Sequence, residues 1–374
     1  MSLSIGIVGL PNVGKSTLFK ALTKKQVAAS NFPFCTIDPN IGIVNVPDKR
    51  LEKLADISKS AKIVPTTVKF VDIAGLVAGA HKGEGLGNKF LANIREVDAI
   101  CHIIRGFSDP NVVHVAGKVD PKSDMEIINL ELIFADMSVA AKRLENLKKE
   151  MRSGDKHATE INAVLEKVMK TLENGHFAAD AKLDDDEKFL IKELSLLTLK
   201  PILYVANVNE EDIGARDLGI SPSDENRSRS QNIVELQSIG KAPLINISAK
   251  IESELAELSE EDAKEYMREL GISQSGLDKL IIESYKLLNL ITFFTSGEPE
   301  TRAWTVAQEA KAPAAAGVIH TDFEEKFIRA EAVSYDDFVL NNGWNGAKEK
   351  GLMRLEGKDY VVQDGDVMFF RHGA

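Results

Sequence analysis

Short apolar runs alternate with helix-like segments along the first 250 residues of the chain. The runs cover residues 3–8, 41–46, 67–72, 99–104, 202–205 and 244–247. Most are continuous and rich in β-branched residues, which is typical of strands buried on both faces. We therefore predict an α/β fold with a mainly parallel, doubly wound sheet, whose ligands bind at the carboxyl ends of its strands.

The long segment between the fourth and fifth apolar runs has a helical period instead. Apolar residues recur there in two groups, mostly at steps of four and three: Leu130, Phe134, Met137, Ala141, Leu144 and Met151, then Ile161, Leu165, Val168 and Leu172. Ser153-Gly154-Asp155 interrupts the pattern between the groups. This pattern predicts an inserted antiparallel helical hairpin, or coiled coil, that protrudes from the sheet.

Residues 285–374 show a third pattern, which predicts a compact β-grasp module. Short β runs cover residues 290–295 and 302–306, a helical stretch covers 323–332, and a closing strand pair flanks the turn at 363–366. The motifs Ala303-Trp304-Thr305, His320-Thr321-Asp322-Phe323 and Asp364-Gly365-Asp366 resemble those of a TGS domain. The predicted boundaries are 1–126 and 199–284 for the sheet domain, 127–198 for the hairpin and 285–374 for the TGS-like module.

Composition and charge limit the class of protein. The 374 residues contain no apolar run near 18 residues and no charged-then-apolar leader, so we expect a soluble protein without a membrane partner. Two cysteines without metal-ligand spacing suggest incidental thiols in a reducing, cytoplasmic compartment. A net charge of −11 disfavours general binding to DNA or RNA backbones, so any RNA contact has to be local.

The first apolar run leads into a pattern that predicts a phosphate cradle. Residues 9–16 match G-x-x-x-x-G-K-[ST] between a strand and a helix. Lys15 is expected to reach the outer phosphates as a catalytic residue, and the Ser16 hydroxyl to bind Mg²⁺. The predicted nucleotide-binding residues of this loop are Asn12, Val13, Gly14, Lys15, Ser16 and Thr17.

A second phosphate motif follows the third apolar run. Asp72 and Gly75 form a D-x-x-G arrangement, in which the carboxylate holds Mg²⁺ and the glycine N–H meets the terminal phosphate. Thr36 lies between the two motifs, where a switch threonine completes the magnesium shell. We therefore predict Ser16, Thr36 and Asp72 as the metal ligands.

The residue that orients the attacking water is not evident. Ras-type GTPases carry a glutamine directly after the D-x-x-G glycine, whereas this chain has Leu76, which makes no side-chain hydrogen bond. His114 follows the fourth strand at the same edge of the sheet, so we predict it as the catalytic residue. An ordinary loop histidine also fits the sequence, and His81 in the glycine-rich segment is a second candidate.

The purine pocket departs from the GTPase pattern as well. GTPases usually read guanine with N-K-x-D after the fifth strand, and this chain has Asn207-Val208-Asn209-Glu210 there. The longer Glu210 no longer reaches the guanine edge in the same geometry, whereas Asn207, Asn209 and main-chain groups suit adenine. We predict base contacts by Asn207, Val208, Glu210, Ser248 and Ala249. The Ser248-Ala249-Lys250 element, whose main-chain N–H meets guanine O6, keeps GTP as an alternative.

One local cluster of cations stands out on this acidic chain. The predicted hairpin tip carries Lys142, Arg143, Lys148, Lys149, Arg152 and Lys156 against Glu145, Glu150 and Asp155. This surface is the sequence's best candidate for a ribosome or RNA contact. A solvated helix face is the alternative.

Together these motifs resemble the YchF-type family of Obg-related P-loop NTPases over nearly the whole chain. The stretches that carry the resemblance are residues 9–17, 31–36, 72–77, 83–90 and 207–210. The resemblance implies a Mg²⁺-dependent ATPase with weaker use of GTP, ribosome association, a three-part layout and an apolar residue at position 76. Asn12 resembles an asparagine that helps hold K⁺ in some relatives.

Two classes of function fit these expectations. In the first, ATP binding orders Thr36 and the glycine-rich segment, hydrolysis releases them, and partner affinity changes with nucleotide state. In the second, the chain is a nucleotide-gated ribosome- or RNA-binding module whose turnover is incidental. A GTPase of the same fold is the remaining alternative.

Overall fold

The computed structural model describes residues 3–25, 40–73, 86–110, 112, 119–217 and 242–373. The strands are β1 Ser4–Val8, β2 Ile41–Asn45, β3 Ile63–Val64, β4 Thr67–Asp72, β5 Ala99–Arg105, β6 Ile202–Asn207, β7 Leu244–Ile247, β8 Leu290–Ser296, β9 Thr301–Ala307, β10 Phe327–Val333, β11 Arg354–Glu356 and β12 Val367–His372. The helices are α1 Lys15–Lys24, α2 Lys49–Ser58, α3 Leu86–Glu96, α4 Pro121–Arg152, α5 Lys156–Glu173, α6 Asp185–Leu190, α7 Glu210–Asp217, α8 Ala249–Leu255, α9 Glu260–Glu269, α10 Gly276–Leu287, α11 Ala312–Ile319, α12 Thr321–Glu325, α13 Tyr335–Leu340 and α14 Trp344–Glu349.

The first sheet has the order β2-β4-β1-β5-β6-β7. β1 pairs in parallel with β4 and β5, and β6 pairs in parallel with β5 and β7. Every residue of β1, β5 and β6 is buried, as their continuous apolar sequences predict. Because β1, β5 and β6 run parallel, the loops that follow them begin at the same edge of the sheet. The strand order reverses at β1, and ligands bind at such a point in folds of this kind.

The predicted helical segment forms two long helices, α4 and α5, joined by residues 153–155. The side chain of Asp155 accepts the main-chain N–H of His157 at 2.9 Å and thereby caps α5. The two helices share a core with the short turns that return the chain to β6. Its fully buried members include Ala140, Leu147, Leu165, Val168 and Ala178.

One buried carboxylate joins α4 to that return segment. Asp136 is fully buried and accepts hydrogen bonds from the main chain of Leu197 at 2.9 Å and of Thr198 at 2.7 Å. The Thr198 hydroxyl donates to the same carboxylate at 2.7 Å. Burial raises the pKa of Asp136, and these hydrogen bonds oppose that rise.

A second sheet has the order β11-β10-β12-β8-β9-β3. β10 pairs antiparallel with β11 and β12, and β8 pairs antiparallel with β9. The prediction of a helix over residues 323–332 is correct for residues 323–325, which belong to α12, and wrong for residues 327–332, because β10 occupies Phe327–Val333. Its Arg, Ala and Glu residues favour a helix in isolation, but pairing with two neighbouring strands outweighs that preference.

The chain divides into two compact units. One comprises Leu3–Gly42 and Lys69–Lys279, and the other comprises Ile43–Val68 and Leu280–Ala374. Residues 43–68 thus belong with the C-terminal unit, whereas their position in the sequence suggested the sheet domain. The reason is a shared core, in which Leu51 and Leu54 of α2 pack with Phe294, Val333 and Phe338.

Within the part of the chain that the structure describes, none of the helices combines the length and hydropathy needed to cross a bilayer.

Candidate nucleotide-binding site

The loop between β1 and α1 has a backbone that depends on two glycines. Gly14 has φ 95° and caps α1, and a side chain built there would place its Cβ 2.2 Å from Nδ2 of Asn207. A Cβ at Gly9 would lie 2.6 Å from the main-chain oxygen of Ile103. Asn12 also adopts a positive φ of 62°. The spacing of the motif therefore reflects close backbone approaches, as a phosphate-binding loop requires.

Lys15 is held inside this loop by its own backbone. Its ammonium donates hydrogen bonds to the oxygens of Gly9 at 2.9 Å and Leu10 at 3.1 Å. Burial lowers the pKa of Lys15, and the nearby carboxylate of Asp72 opposes that change. A buried cation that is paired only with neutral carbonyls is suited to accept an anionic phosphate.

Two oxygen ligands suited to a divalent cation lie beside Lys15. Asp72 ends β4, burial raises its pKa, and its Oδ1 atom is buried without a hydrogen-bond partner among the described residues. Ser16 lies in the first turn of α1 with an exposed side chain. The described residues contain no cluster of three His, Cys, Asp or Glu side chains around a possible metal site. Mg²⁺ needs no such cluster, because it commonly binds one or two protein oxygens together with phosphates and waters.

A cavity of about 590 Å³ opens next to the loop, at the carboxyl edge of the sheet. Gly14 and Thr17 line one side, and residues 107–110, 207–211 and 248–250 line the others. The volume falls in the usual range for small-molecule sites. The structure thus brings together the predicted residues Gly14, Thr17, Asn207, Val208, Glu210, Ser248 and Ala249.

Asn207 links the two loops that border the cavity. Its Nδ2 donates to the main-chain oxygen of Val13 at 2.9 Å, and its Oδ1 accepts the N–H of Ala249 at 2.9 Å. The residue is 6% exposed. Both ends of the amide are therefore engaged with main-chain groups, so Asn207 positions the walls of the cavity.

The other predicted base contacts have different environments. Val208 is buried and donates its N–H to the oxygen of Ile247 at 2.8 Å. Glu210 forms an ion pair with Lys250, with 3.0 Å between the nitrogen and a carboxylate oxygen. Ser248 is also buried, and its hydroxyl has no hydrogen-bond partner among the described residues. A purine that enters the cavity meets one unsatisfied hydroxyl and one paired carboxylate.

The loop that follows β5 also lines the cavity, although no sequence motif predicted a role for it. Phe107 and Pro110 form apolar lining of the cavity. Arg105 supports this loop, since its side chain donates to the oxygens of Phe107 at 3.3 Å and Val112 at 2.9 Å. Its guanidinium also lies 4.5 Å from the centroid of the Phe107 ring. Its place in the sequence, directly after a central parallel strand, could have indicated that this loop binds a ligand.

Several predicted residues lie outside the described residues. These are Thr36, Gly75, Leu76, His81 and His114. Their assignments stay predictions.

The fold and the loop geometry define a P-loop NTPase. A family model described as a 50S ribosome-binding GTPase matches residues 4–167. A second model, the YchF-GTPase C-terminal domain, described as a protein of unknown function, matches residues 290–373.

Comparison with whole proteins narrows the class. The chain is 53% identical over 371 residues to the ribosome-binding ATPase YchF of Haemophilus ducreyi and 52% identical over 374 residues to that of Bacillus subtilis, each covering 99% of both chains. The solved structure of the Schizosaccharomyces pombe YchF GTPase matches with a TM-score of 0.85 at 38% identity, covering 99% of this chain and 98% of that one. The chain therefore belongs to the YchF family, which confirms the resemblance and the P-loop α/β fold.

Proposed function

We propose that this protein is a Mg²⁺-dependent ATPase that binds ribosomes and changes conformation with its nucleotide state. Its bacterial relatives are named ribosome-binding ATPases, whereas the yeast structure is titled a GTPase. The choice between adenine and guanine therefore has to come from the cavity.

Two contacts beside the cavity carry the adenine assignment. The N–H of Ala249, which belongs to the element that meets guanine O6 in GTPases, donates instead to Oδ1 of Asn207 at 2.9 Å. The aspartate that accepts guanine N1–H is replaced by Glu210, whose carboxylate is paired with Lys250. Buried sites that misplace a hydrogen-bonding group discriminate strongly against the ligand that needs it. Guanine loses two recognition contacts, and adenine loses none of them.

The triphosphate end of the site assigns roles to three described residues. Lys15 exchanges its carbonyl partners for phosphate oxygens and stabilises the charge on the terminal phosphate. Ser16 and Asp72 supply the oxygens that hold Mg²⁺, directly or through water. When bound there, Mg²⁺ would neutralise charge on the β- and γ-phosphates. In-line attack by water on the γ-phosphorus then breaks its bond to the bridging oxygen and releases ADP and phosphate.

Orientation of that water is assigned to His114. The proposal rests on its place in the sequence after β5 and on the leucine at position 76. Thr36 completes the Mg²⁺ ligands, Gly75 contacts the terminal phosphate, and Asn12 is the candidate K⁺ ligand. Equal hydrolysis rates in K⁺ and Na⁺ buffers would contradict the role of Asn12 as a K⁺ ligand.

The ribosome contact is proposed for the tip of the helical hairpin. Lys142, Lys148, Lys149, Arg152 and Lys156 are all exposed there. None of them forms an ion pair with another described residue, whereas Arg143 donates to Glu150 at 2.7 Å. Unpaired cations on a protein of net charge −11 form a local site for RNA phosphates. A ribosomal partner also places the protein in the cytoplasm.

Phosphate release from ATP and from GTP tests the proposed activity directly. We expect ATP turnover that requires Mg²⁺ and is lost in Lys15→Met. Faster turnover of GTP than of ATP at saturating nucleotide, or turnover unaffected by chelation of Mg²⁺, would contradict the proposal.

A further inference from the structure

An ion pair joins the first turns of two helices that line the cavity. Glu210 begins α7 directly after β6, and Lys250 lies in the first turn of α8 directly after β7. The ammonium of Lys250 lies 3.0 Å from Oε2 and 3.0 Å from Oε1 of Glu210. Both carboxylate oxygens are thus engaged by one cation.

Guanine needs those same two oxygens. Its N1–H and its 2-amino group are adjacent donors, and a carboxylate with both oxygens free accepts them together. Adenine has no 2-amino group, and its N1 is an acceptor. An ammonium that occupies both oxygens therefore competes with guanine and not with adenine.

We infer that Lys250 is a specificity-determining residue, which disfavours guanine nucleotides by holding the carboxylate of Glu210. This inference rests on the proposed adenine specificity and adds a second source for it, apart from the longer side chain of Glu210. The role belongs to the side chain of Lys250, whereas the contact known from the Ser-Ala-Lys element of GTPases uses the main chain.

The other acids near the cavity do not replace Glu210 as the partner of Lys250. Glu254 accepts the hydroxyl of Tyr266 at 2.6 Å. The pKa of Lys250 is raised first by its hydrogen bond to Glu210 and by the charge of that group, with smaller contributions from Glu254 and Asp109. The pair is thus specific to these two residues.

Exposure sets the size of the expected effect. The side chains of Lys250 and Glu210 are 69% and 37% exposed, so water and salt screen their interaction. Exposed pairs of this kind change an equilibrium by about fivefold at most. Lys250 therefore accounts for a few-fold part of the discrimination against guanine, and that part shrinks as salt rises.

The test is calorimetric titration of ADP, GDP and IDP into nucleotide-free protein at low salt. Four chains are compared: the natural sequence, Lys250→Met, Glu210→Gln and the double variant. Lys250→Met is expected to increase GDP affinity about fivefold and to leave ADP affinity within twofold. IDP lacks the 2-amino group and should gain less than GDP. In the Glu210→Gln background, Lys250→Met should no longer increase GDP affinity.

A matched control removes an exposed ion pair that does not line the cavity. Lys188 pairs with Asp185 at 2.9 Å in α6. Lys188→Met should therefore leave the ratio of ADP to GDP affinity unchanged.

The possible outcomes separate this inference from the proposed function. A natural sequence that binds ADP more tightly, with a ratio that Lys250→Met does not change, would overturn the role of Lys250 alone. A GDP gain that persists in the double variant would overturn it as well. A natural sequence that binds GDP more tightly than ADP would contradict the proposed function itself.

Discussion

The side-chain amide of Asn207 donates to the main-chain oxygen of Val13 at 2.9 Å, and so joins the end of β6 to the phosphate loop. Its other end accepts the N–H of Ala249. One buried amide therefore fixes the position of both loops that border the cavity, and its role is structural before it is one of recognition.

Asn207→Ala is expected to weaken the binding of ADP and, to a smaller extent, the binding of GDP. Truncation leaves the Val13 oxygen and the Ala249 N–H without partners in a buried place, which costs about 1 to 3 kcal/mol. We expect a tenfold or greater loss of affinity for ADP and a smaller loss for GDP, because the freed N–H of Ala249 can meet guanine O6, together with a lower free energy of unfolding in urea. Asn162→Ala, which removes an exposed amide that donates to Glu166, is the control and should change neither quantity. A loss confined to ADP would show that Asn207 reads the base.

Lys15→Met is expected to weaken nucleotide binding while it leaves the free energy of unfolding almost unchanged. The variant loses its ligand for the triphosphate, but it also removes a cation whose burial is unfavourable, as the lowered pKa indicates. The oxygens of Gly9 and Leu10 lose their hydrogen bonds to Lys15, which offsets that gain. The free energy of unfolding without nucleotide should therefore change by about 1 kcal/mol or less. Urea titration checks this value, with Lys20→Met on the exposed side of α1 as the control. Destabilisation by about 3 kcal/mol would mean that the Lys15 hydrogen bonds hold the loop together.

The buried side chain of His102 should make the folded protein less stable in acid. It lies in β5, is 2% exposed, and burial lowers its pKa to about 3. The unfolded chain, with a histidine pKa near 6.5, binds a proton between pH 6.5 and pH 3 that the folded protein does not. Stability therefore falls as pH drops below about 6.5.

His102→Phe should remove this contribution. Phenylalanine keeps an aromatic ring in van der Waals reach of Tyr204, whose ring centroid lies 5.4 Å from that of His102. Between pH 7 and pH 4.5, the natural sequence should lose about 2 kcal/mol more unfolding free energy than the variant. If urea titrations showed that both proteins lose the same unfolding free energy between these pH values, the buried, neutral state of His102 would be contradicted.

Charge reversal at the hairpin tip is expected to weaken ribosome binding without weakening nucleotide binding. Lys148→Glu, Lys149→Glu and Arg152→Glu together reverse the local charge, so cosedimentation with purified ribosomal subunits should fall at least tenfold. ATP affinity should stay within twofold, because none of the three residues lines the cavity. The control is a charge-matched triple variant at exposed positions elsewhere in the hairpin region: Lys170→Glu, Lys182→Glu and Lys192→Glu. Equal loss in both triple variants would mean that total charge, and not the tip, drives association.

The sequence predicted the parts of the fold that depend on local pattern. Buried parallel strands such as β1 and β5 are continuous apolar runs, and α4 and α5 follow a helical period that residues 153–155 interrupt. It could not predict β10, whose strand state depends on pairing with β11 and β12. Nor could it place residues 43–68, because the core that α2 shares with the C-terminal segment joins residues far apart in the chain.

The candidate site divides in the same way. The phosphate loop was predictable because its glycines and Lys15 serve a geometry that a short motif encodes. The partners of Asn207, the support of Phe107 by Arg105 and the pairing of Glu210 with Lys250 were not. Each of these contacts joins loops that follow different strands, so sequence spacing carries no signal for them.

The preference for adenine over guanine can be measured in a single pair of titrations. Non-hydrolysable ATP and GTP analogues are titrated separately into nucleotide-free protein with Mg²⁺, and the two dissociation constants are compared. We expect the adenine analogue to bind at least tenfold more tightly. Equal affinity, or tighter binding of the guanine analogue, would contradict it.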